Sequence, residues 1–504
     1  MNNSESFSER VKLRIMARDG SNQRTVFHDE SLTYIRLYAW SPDERWLAVE
    51  FQRQREPNRF EFGLVNSADG SLRVLKTTGP RDFGRVGRVE FSPDSLFVTY
   101  DLDVSGEGRK SDIFVINLNS GQETRVVAHP ADDRLLGWAP FSNGILFSSD
   151  RRGSKDAWLI PFEEGKVSAN PLLVKTDLGD AEPLGFTKSG AFYFSLSQFT
   201  SDIYTLSMDP KSGKAQGQPV RTVERFEGLN SAPDWSPDGR HLAFSTARSP
   251  SVLRVLDTQT QSDRVLAEGV FGPKWSPDGK SLLAFSGWGS NEEKIFRIDA
   301  ATGSRTVLVE ARPEWGILIR SYDWSPDGRY VYYQHDQHET ATNVAPIVRR
   351  NIETGQEQEI HRVESGGFFA VSPDGRSIVF RANGLYLIPA TGGQPKLLAQ
   401  SAQGQDSYYI PVGDAFTWSA DGRSVLVCKW LVNRNAADIS DDMKSELVRV
   451  PVDGGEPETV LEMPRIRYPS VHPDGSRISF SAGRRRSELW VMENFLPEQK
   501  AAGK

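Results

Sequence analysis

The sequence predicts an all-β fold: a β-propeller of about ten four-stranded blade units, set out as two tandem propellers, with one large closed ring as the alternative. Three observations carry this prediction. The stretch "DWSPDGRHLAFS" (234–245) returns in worn copies along most of the chain. Its recurrence has the period of a propeller blade, about 40–50 residues. No segment sustains the 3.6-residue apolar period of an amphipathic helix.

The copies are fixed by an aromatic anchor at Trp40, Phe91, Trp138, Phe186, Trp235, Trp275, Trp324 and Trp418, with Val371 and Val471 in the same slot. After most anchors comes a Ser-Pro-Asp-Gly turn or a close variant of it. Pro presets the backbone of the second turn position, Asp bonds locally at the third, and Gly takes the left-handed conformation that closes the hairpin. Where Gly is lost, at Glu44 and Ser95, strain or a looser turn is expected. His472 replaces Ser, Ala420 replaces Pro, and the Trp138 copy reads "APFSNG". Strands such as "LAFST", "YVYYQH" and "SIVFRA" follow the turn. A second hairpin then completes four strands per unit, as in "IFRIDAATGSRTVLV". A four-stranded sheet cannot cover both of its faces alone, so the anchors, above all Trp235, Trp275 and Trp324, are read as wedge fillers between stacked blades.

The organisation expected from these units is residues 10–230 as an N-terminal hairpin (13–27) plus four blades, 231–496 as a six-bladed propeller, and 497–504 as a polar tail. The seam is placed in "VERFEGLNSA" (223–232), where regular units take over. The last unit runs through "RISFSAG" and "ELWVMENFL" and stops one strand short, so an N-terminal strand is expected to complete it and lock the ring.

Bulk properties exclude several classes. Twelve Trp and 27 Phe supply the buried area that a disordered chain lacks. A net charge of -7 gives no general attraction for nucleic-acid backbones, and the run Arg484–Arg486 reads as a solvated loop. Cys428, the single cysteine, sits in the apolar run "SVLVCKW" and reads as a small buried hydrophobe. No apolar run is long enough to span a bilayer, and the N-terminus lacks a signal-peptide core. The expectation is therefore no membrane insertion, and a cytoplasmic location for the chain as given, or a periplasmic one if a segment precedes it.

The units resemble the TolB-like (WD-like) β-propeller repeat family. The residues that carry the resemblance are the Trp-Ser-Pro-Asp-Gly turns and second hairpins such as "LYLIPATGGQPKLL". Such repeats form the non-catalytic propellers of TolB, prolyl oligopeptidase-type peptidases and tricorn-like proteins. True WD repeats differ, since no Trp here is followed by Asp. Segments such as "HPADDRLLGWAPFSNGILFSSDRRGSKDAWLI" are also similar to bacterial propeller regions that stand behind sensor or effector modules. The resemblance implies the fold; function belongs to the site.

A nucleophile elbow, Gly-x-Ser-x-Gly, does not occur, so the catalytic half of a prolyl oligopeptidase is missing from this sequence. "QHDQHET" brings His335, Asp336, His338 and Glu339 together as the candidate metal ligands. Strand geometry sends alternate side chains to opposite faces, so a polar loop is the preferred reading, with no metal or other cofactor assigned. The aspartates at 43, 94, 238, 278, 327, 374, 421 and 474 are copies of one turn position rather than catalytic acids. Three functions remain: a non-enzymatic scaffold that binds a protein or peptide, which is preferred; a carbohydrate-active lyase or glycosidase; and a sensor or gating propeller working with a separate effector or peptidase domain.

Overall fold

The computed structural model describes residues 11–54, 59–78, 86–104, 110–140, 144–224, 228–246, 251–286, 293–312, 315–337, 344–364, 367–400, 416–430 and 444–496. All regular structure in these residues is β-strand, paired antiparallel. The recurrent turn forms as its residues dictate. In the Ser236 copy, Ser236 Oγ donates to Asp238 Oδ1 and the Arg240 N–H donates to the same oxygen at 3.0 Å. The Gly239 N–H reaches the Ser236 carbonyl at 2.8 Å with φ +68°. Equivalent bonds close the turns at Ser276, Ser325, Ser372 and Ser419. The serine hydroxyl, then the backbone N–H, hold Asp238, Asp278 and Asp374 below the usual carboxylate range, which fits an ionised acceptor and not a proton donor. Glu44 and Ser95 keep the left-handed backbone, at φ +60° and +61°, so the turn survives the loss of Gly at the cost of strain.

The chain divides into two compact units, residues 1–197 with 487–504, and residues 198–486. The second is therefore inserted within the first, and the division falls at 197/198 and 486/487 instead of the 230/231 seam read from the sequence.

The second unit is a closed ring of six four-stranded blades. Five are consecutive in sequence, with innermost strands Asn230–Trp235, Phe271–Trp275, Trp315–Trp324, Phe369–Val371 and Phe416–Trp418. The sixth has Arg467–Val471 innermost, then the first part of Arg477–Met492, the last part of Phe192–Met208, and Ala215–Arg221. Alternation within one strand shows why a ring forms. In His241–Thr246, Leu242 and Phe244 pack with Ile203, Val223 and Trp235 on one face. Ala243 on the other face joins Leu282, Ala284 and Ile298 of the next blade. Each blade shares one apolar wedge with each neighbour, and the wedge between the sixth and first blades shuts the circle. His472, which stands in the serine slot of the turn, strengthens that closure. Its ring meets Trp235 edge to face at 4.8 Å, its Nε2 lies 3.0 Å from the Gly239 carbonyl, and its Nδ1 lies 2.6 Å from Asp474 Oδ1.

The first unit holds four sheets, with innermost strands Leu32–Trp40, Val86–Phe91, Asp133–Ala139 and Ala181–Phe186. The hairpin Lys12–Ile15 with Arg24–His28 packs through Leu13 and Val26 on Leu47, Val49 and Phe51 of the first sheet. Further wedges join successive sheets, and Met492, Phe495 and Leu496 pack on the fourth beside Phe186 and Phe192.

Three sequence expectations are corrected here. "RISFSAG" and "ELWVM" are one continuous strand, Arg477–Met492, and the N-terminal strand does not complete the last blade. Its partners are instead residues that follow the Phe186 unit: the Met208 N–H donates to the Ser476 carbonyl at 2.7 Å, and Thr205 Oγ1 lies 2.7 Å from Ser479 Oγ. The cause is the lack of a chain reversal in "SQFTSD", so Phe192–Met208 is a single strand whose first part belongs to one unit and whose last part belongs to the other. Arg484 and Arg485 lie in a strand rather than a loop, the Arg484 carbonyl accepting from Thr200 Oγ1 at 3.1 Å. Anchors at Trp235, Trp324 and Trp418 are buried as wedge fillers, whereas Trp40 is 45% exposed and donates through Nε1 to the Glu44 carbonyl.

The strained turn gives a direct test. Glu44→Gly relieves a left-handed non-glycine residue without touching the backbone bonds there, and is expected to raise stability by about 0.5–1 kcal/mol. A denaturation midpoint that does not rise would show that the turn relaxes some other way.

Candidate functional site: a charged cavity lined by inner strands

Most innermost strands carry a bulge before the anchor, whereas Phe369–Val371 and Phe416–Trp418 pair without a register shift. Register shifts fall between Leu37 and Ala39, Leu135 and Gly137, Pro183 and Gly185, Ser231 and Asp234, Phe271 and Lys274, and Arg467 and Ser470. A bulge takes backbone N–H groups out of the ladder, and inside a protein they need other acceptors. In the second unit the preceding blade supplies them. The Trp275 N–H donates to Asp234 Oδ2 at 2.7 Å, the Val371 N–H to Asp323 Oδ2 at 3.0 Å, and the Trp235 N–H to Ser470 Oγ at 3.2 Å. Ser245 and Ser481 do the same for the N–H groups of Gly272 and Ala232. Lys274 occupies the slot where an acceptor for Trp324 would stand, and Asp323 caps that N–H itself through Oδ1 at 2.9 Å. Burial pushes Asp234 up to about 6, the Asp323 carboxylate adding to the rise while Lys274 and the Trp275 N–H oppose it. These axial groups are engaged in holding blade to blade.

The first unit presents more open chemistry. A cavity of about 560 Å³ is lined by all four of its innermost strands. Arg36 and Tyr38 come from the first, Arg88 and Glu90 from the second, Arg134 and Leu135 from the third, and Glu182 and Pro183 from the fourth. Asp101 lies beneath, on the strand Phe97–Asp103, with Lys155 and Asp180 at the edge. Its carboxylate accepts the N–H of Arg88 and, at 3.4 Å, that of Leu135. Gly87 is required for this, because a Cβ there would stand 2.4 Å from Asp101 Oδ1. Burial pushes Asp101 up to about 6, with the two N–H groups and Arg134 opposing the shift. Arg88 bonds Glu90 and, through Nη1, the Pro183 carbonyl at 2.9 Å, which ties the second sheet to the fourth. Arg134 Nε donates to Asp132 Oδ2 at 2.9 Å, and Lys155 pairs with Asp180. Arg36 stacks over Tyr38 at 4.7 Å, and the Tyr38 hydroxyl donates to the Val86 carbonyl at 2.8 Å.

Of the residues singled out from the sequence, only part lies among the described residues. His335 is 4% exposed and lies in the strand Tyr330–Gln337, which continues past the expected loop start and pairs with both neighbouring strands. The side chain of Asp336, and His338 and Glu339 altogether, lie outside the described residues. Among the described residues, no group of three or more His, Cys, Asp and Glu could hold a metal ion. Cys428 is buried, and burial pushes its thiol pKa far up, leaving an unreactive thiol at neutral pH. No helix among the described residues is long and apolar enough to cross a membrane.

Comparison with known proteins agrees with the repeat. Residues 192–420 match the family model of the TolB beta propeller domain. The repeats within residues 192–420 are TolB-like β-propeller repeats. Among curated proteins, this chain is 27% identical over 182 residues to dipeptidyl-peptidase 5 of Porphyromonas gingivalis, a match that covers 33% of this chain and 25% of that one. The matched part thus spans a quarter of the peptidase's length. An uncharacterised protein of Agrobacterium fabrum is 25% identical over 285 residues, covering 52% of this chain and 87% of that protein. Among solved structures, a putative TolB from Agrobacterium tumefaciens aligns at 19% identity and a TM-score of 0.43, covering 56% of this chain and 98% of that one.

Two predictions follow from the carboxylates that join sheets. Asp323→Ala leaves two backbone N–H groups without their acceptors and is expected to cost about 2 kcal/mol in denaturant unfolding, with Asp323→Asn costing less; equal, negligible losses would remove the stapling role. Asp101 and Asp234 hold their protons more tightly folded than unfolded, so their favourable contribution is full below about pH 4 and is lost as pH rises through about 6. The double variant Asp101→Asn, Asp234→Asn is expected to flatten the fall in stability across that window, measured as unfolding midpoint against pH; an unchanged slope would contradict the assignment.

Proposed function

We propose that this protein is a non-enzymatic propeller that binds a protein or peptide segment, with the cavity of the first unit as its docking place. The observation that supports the reading most is that four innermost strands line one cavity of about 560 Å³ with side chains that differ from copy to copy, while the repeated residues are spent on turns and wedges. Its volume lies within the range of ligand sites, about 300–1,000 Å³. The lining mixes guanidinium groups, carboxylates, a tyrosine and the apolar Leu37, Val89, Leu135 and Leu136, a composition suited to a peptide with its alternation of polar backbone and varied side chains. Rigid strands hold these groups in place, which lowers the ordering cost of binding. The reading assigns Asp101 to structure, because both of its oxygens accept backbone N–H groups.

The test is binding of the whole chain to an immobilised peptide library, followed by affinity measurement for the retained sequences. Arg36→Glu, at an exposed position, is expected to weaken the retained peptides about tenfold. Retention of no peptide, together with turnover of an oligosaccharide panel, would replace this reading with the carbohydrate-active one.

A further inference from the structure

We infer that the cavity of the first unit selects short zwitterionic peptides, taking the free carboxylate at Arg36 and the free ammonium at Glu182; this rests on the peptide-binding reading above and names its ligand. The inference comes from how the charges of the lining are already used. Arg88 is matched by Glu90, Arg134 by Asp132, and Lys155 by Asp180, while Asp101 is matched by two backbone N–H groups. Among the described residues, two charged groups of the lining are left without an ion pair or hydrogen bond: the Arg36 guanidinium and the Glu182 carboxylate.

Both are presented by restrained elements. Arg36 lies on the Tyr38 ring, and that ring is fixed by its hydroxyl bond to the Val86 carbonyl. Glu182 precedes Pro183, whose carbonyl is held by Arg88 Nη1. One unmatched cation and one unmatched anion in the same cavity complement a ligand that carries one charge of each sign. A simple anion or a simple cation would satisfy only one of them. The cavity exceeds what a single amino acid fills, and exposed Leu37 offers apolar surface to a side chain of the ligand. A peptide of about three to four residues with both termini free fits the volume and the charges.

The test is isothermal titration of the full chain with alanyl-leucyl-alanine and with its N-acetyl, C-amide and doubly blocked forms. Free peptide is expected to bind about tenfold more tightly than either singly blocked form. Arg36→Gln should abolish the preference for a free carboxylate alone, and Glu182→Gln the preference for a free ammonium alone. The swapped variant, Arg36→Glu with Glu182→Arg, should regain affinity above either single charge reversal, a recovery that a merely structural role would not produce. Equal binding of free and blocked peptides would overturn this inference and leave the docking reading standing. Failure of every form to bind would overturn this inference, and the docking reading would fall with it only if the library also retains nothing.

Discussion

A β-sheet that is apolar on both faces must be covered on both, and everything else in the second unit depends on that constraint. Leu242 and Phe244 face one neighbour while Ala243 faces the other. A row of such sheets ends only when its last bare face meets its first. The closing wedge is the one built by Ile203, Val223, Trp235 and Leu242, with His472 holding Trp235 from across the seam. Because the closing blade takes two strands from each end of the inserted segment, unfolding either pair opens the ring.

The bulge that precedes most of the anchors adds the second condition. It turns the innermost strands so that they line an axis, and it releases N–H groups that the ladder would have used. Asp234, Asp323 and Ser470 meet those groups in the second unit, and Asp101 does so in the first. The carboxylates of Asp101, Asp234 and Asp323 thereby serve as acceptors for backbone N–H groups. Among the described charged groups that line the first unit's cavity, Arg36 and Glu182 are left without an ion pair or hydrogen bond.

The fold was legible because its spelling is local. Ser236, Pro237, Asp238 and Gly239 specify a hairpin turn by their own chemistry, and Trp235 marks the strand that precedes it. The route of the chain between units was not legible, since it turns on a chain reversal that fails to occur near Gln198 and again near Gly483, where a Cβ would lie 1.7 Å from the Thr200 carbonyl. The cavity was hidden for a different reason. Arg36, Arg134 and Glu182 each stand four residues before an anchor, an even step that places them on the anchor's own face in a regular strand. The intervening bulges at 37–39, 135–137 and 183–185 break that parity and send them to the cavity instead. The readable signal was variation: charges of both signs at a position whose neighbour, the anchor, hardly changes.

The central claim is that the varied residues of the first unit's innermost strands carry the function while the repeated ones carry the fold. Hydrogen–deuterium exchange of the whole chain, with and without a saturating bound peptide, addresses it most directly. The account predicts added protection at residues 36–38, 87–90, 134–136 and 180–183, and little change in the Ser-Pro-Asp-Gly turns. Protection that falls instead on the outer strands of either unit, with the cavity strands unchanged, would contradict it.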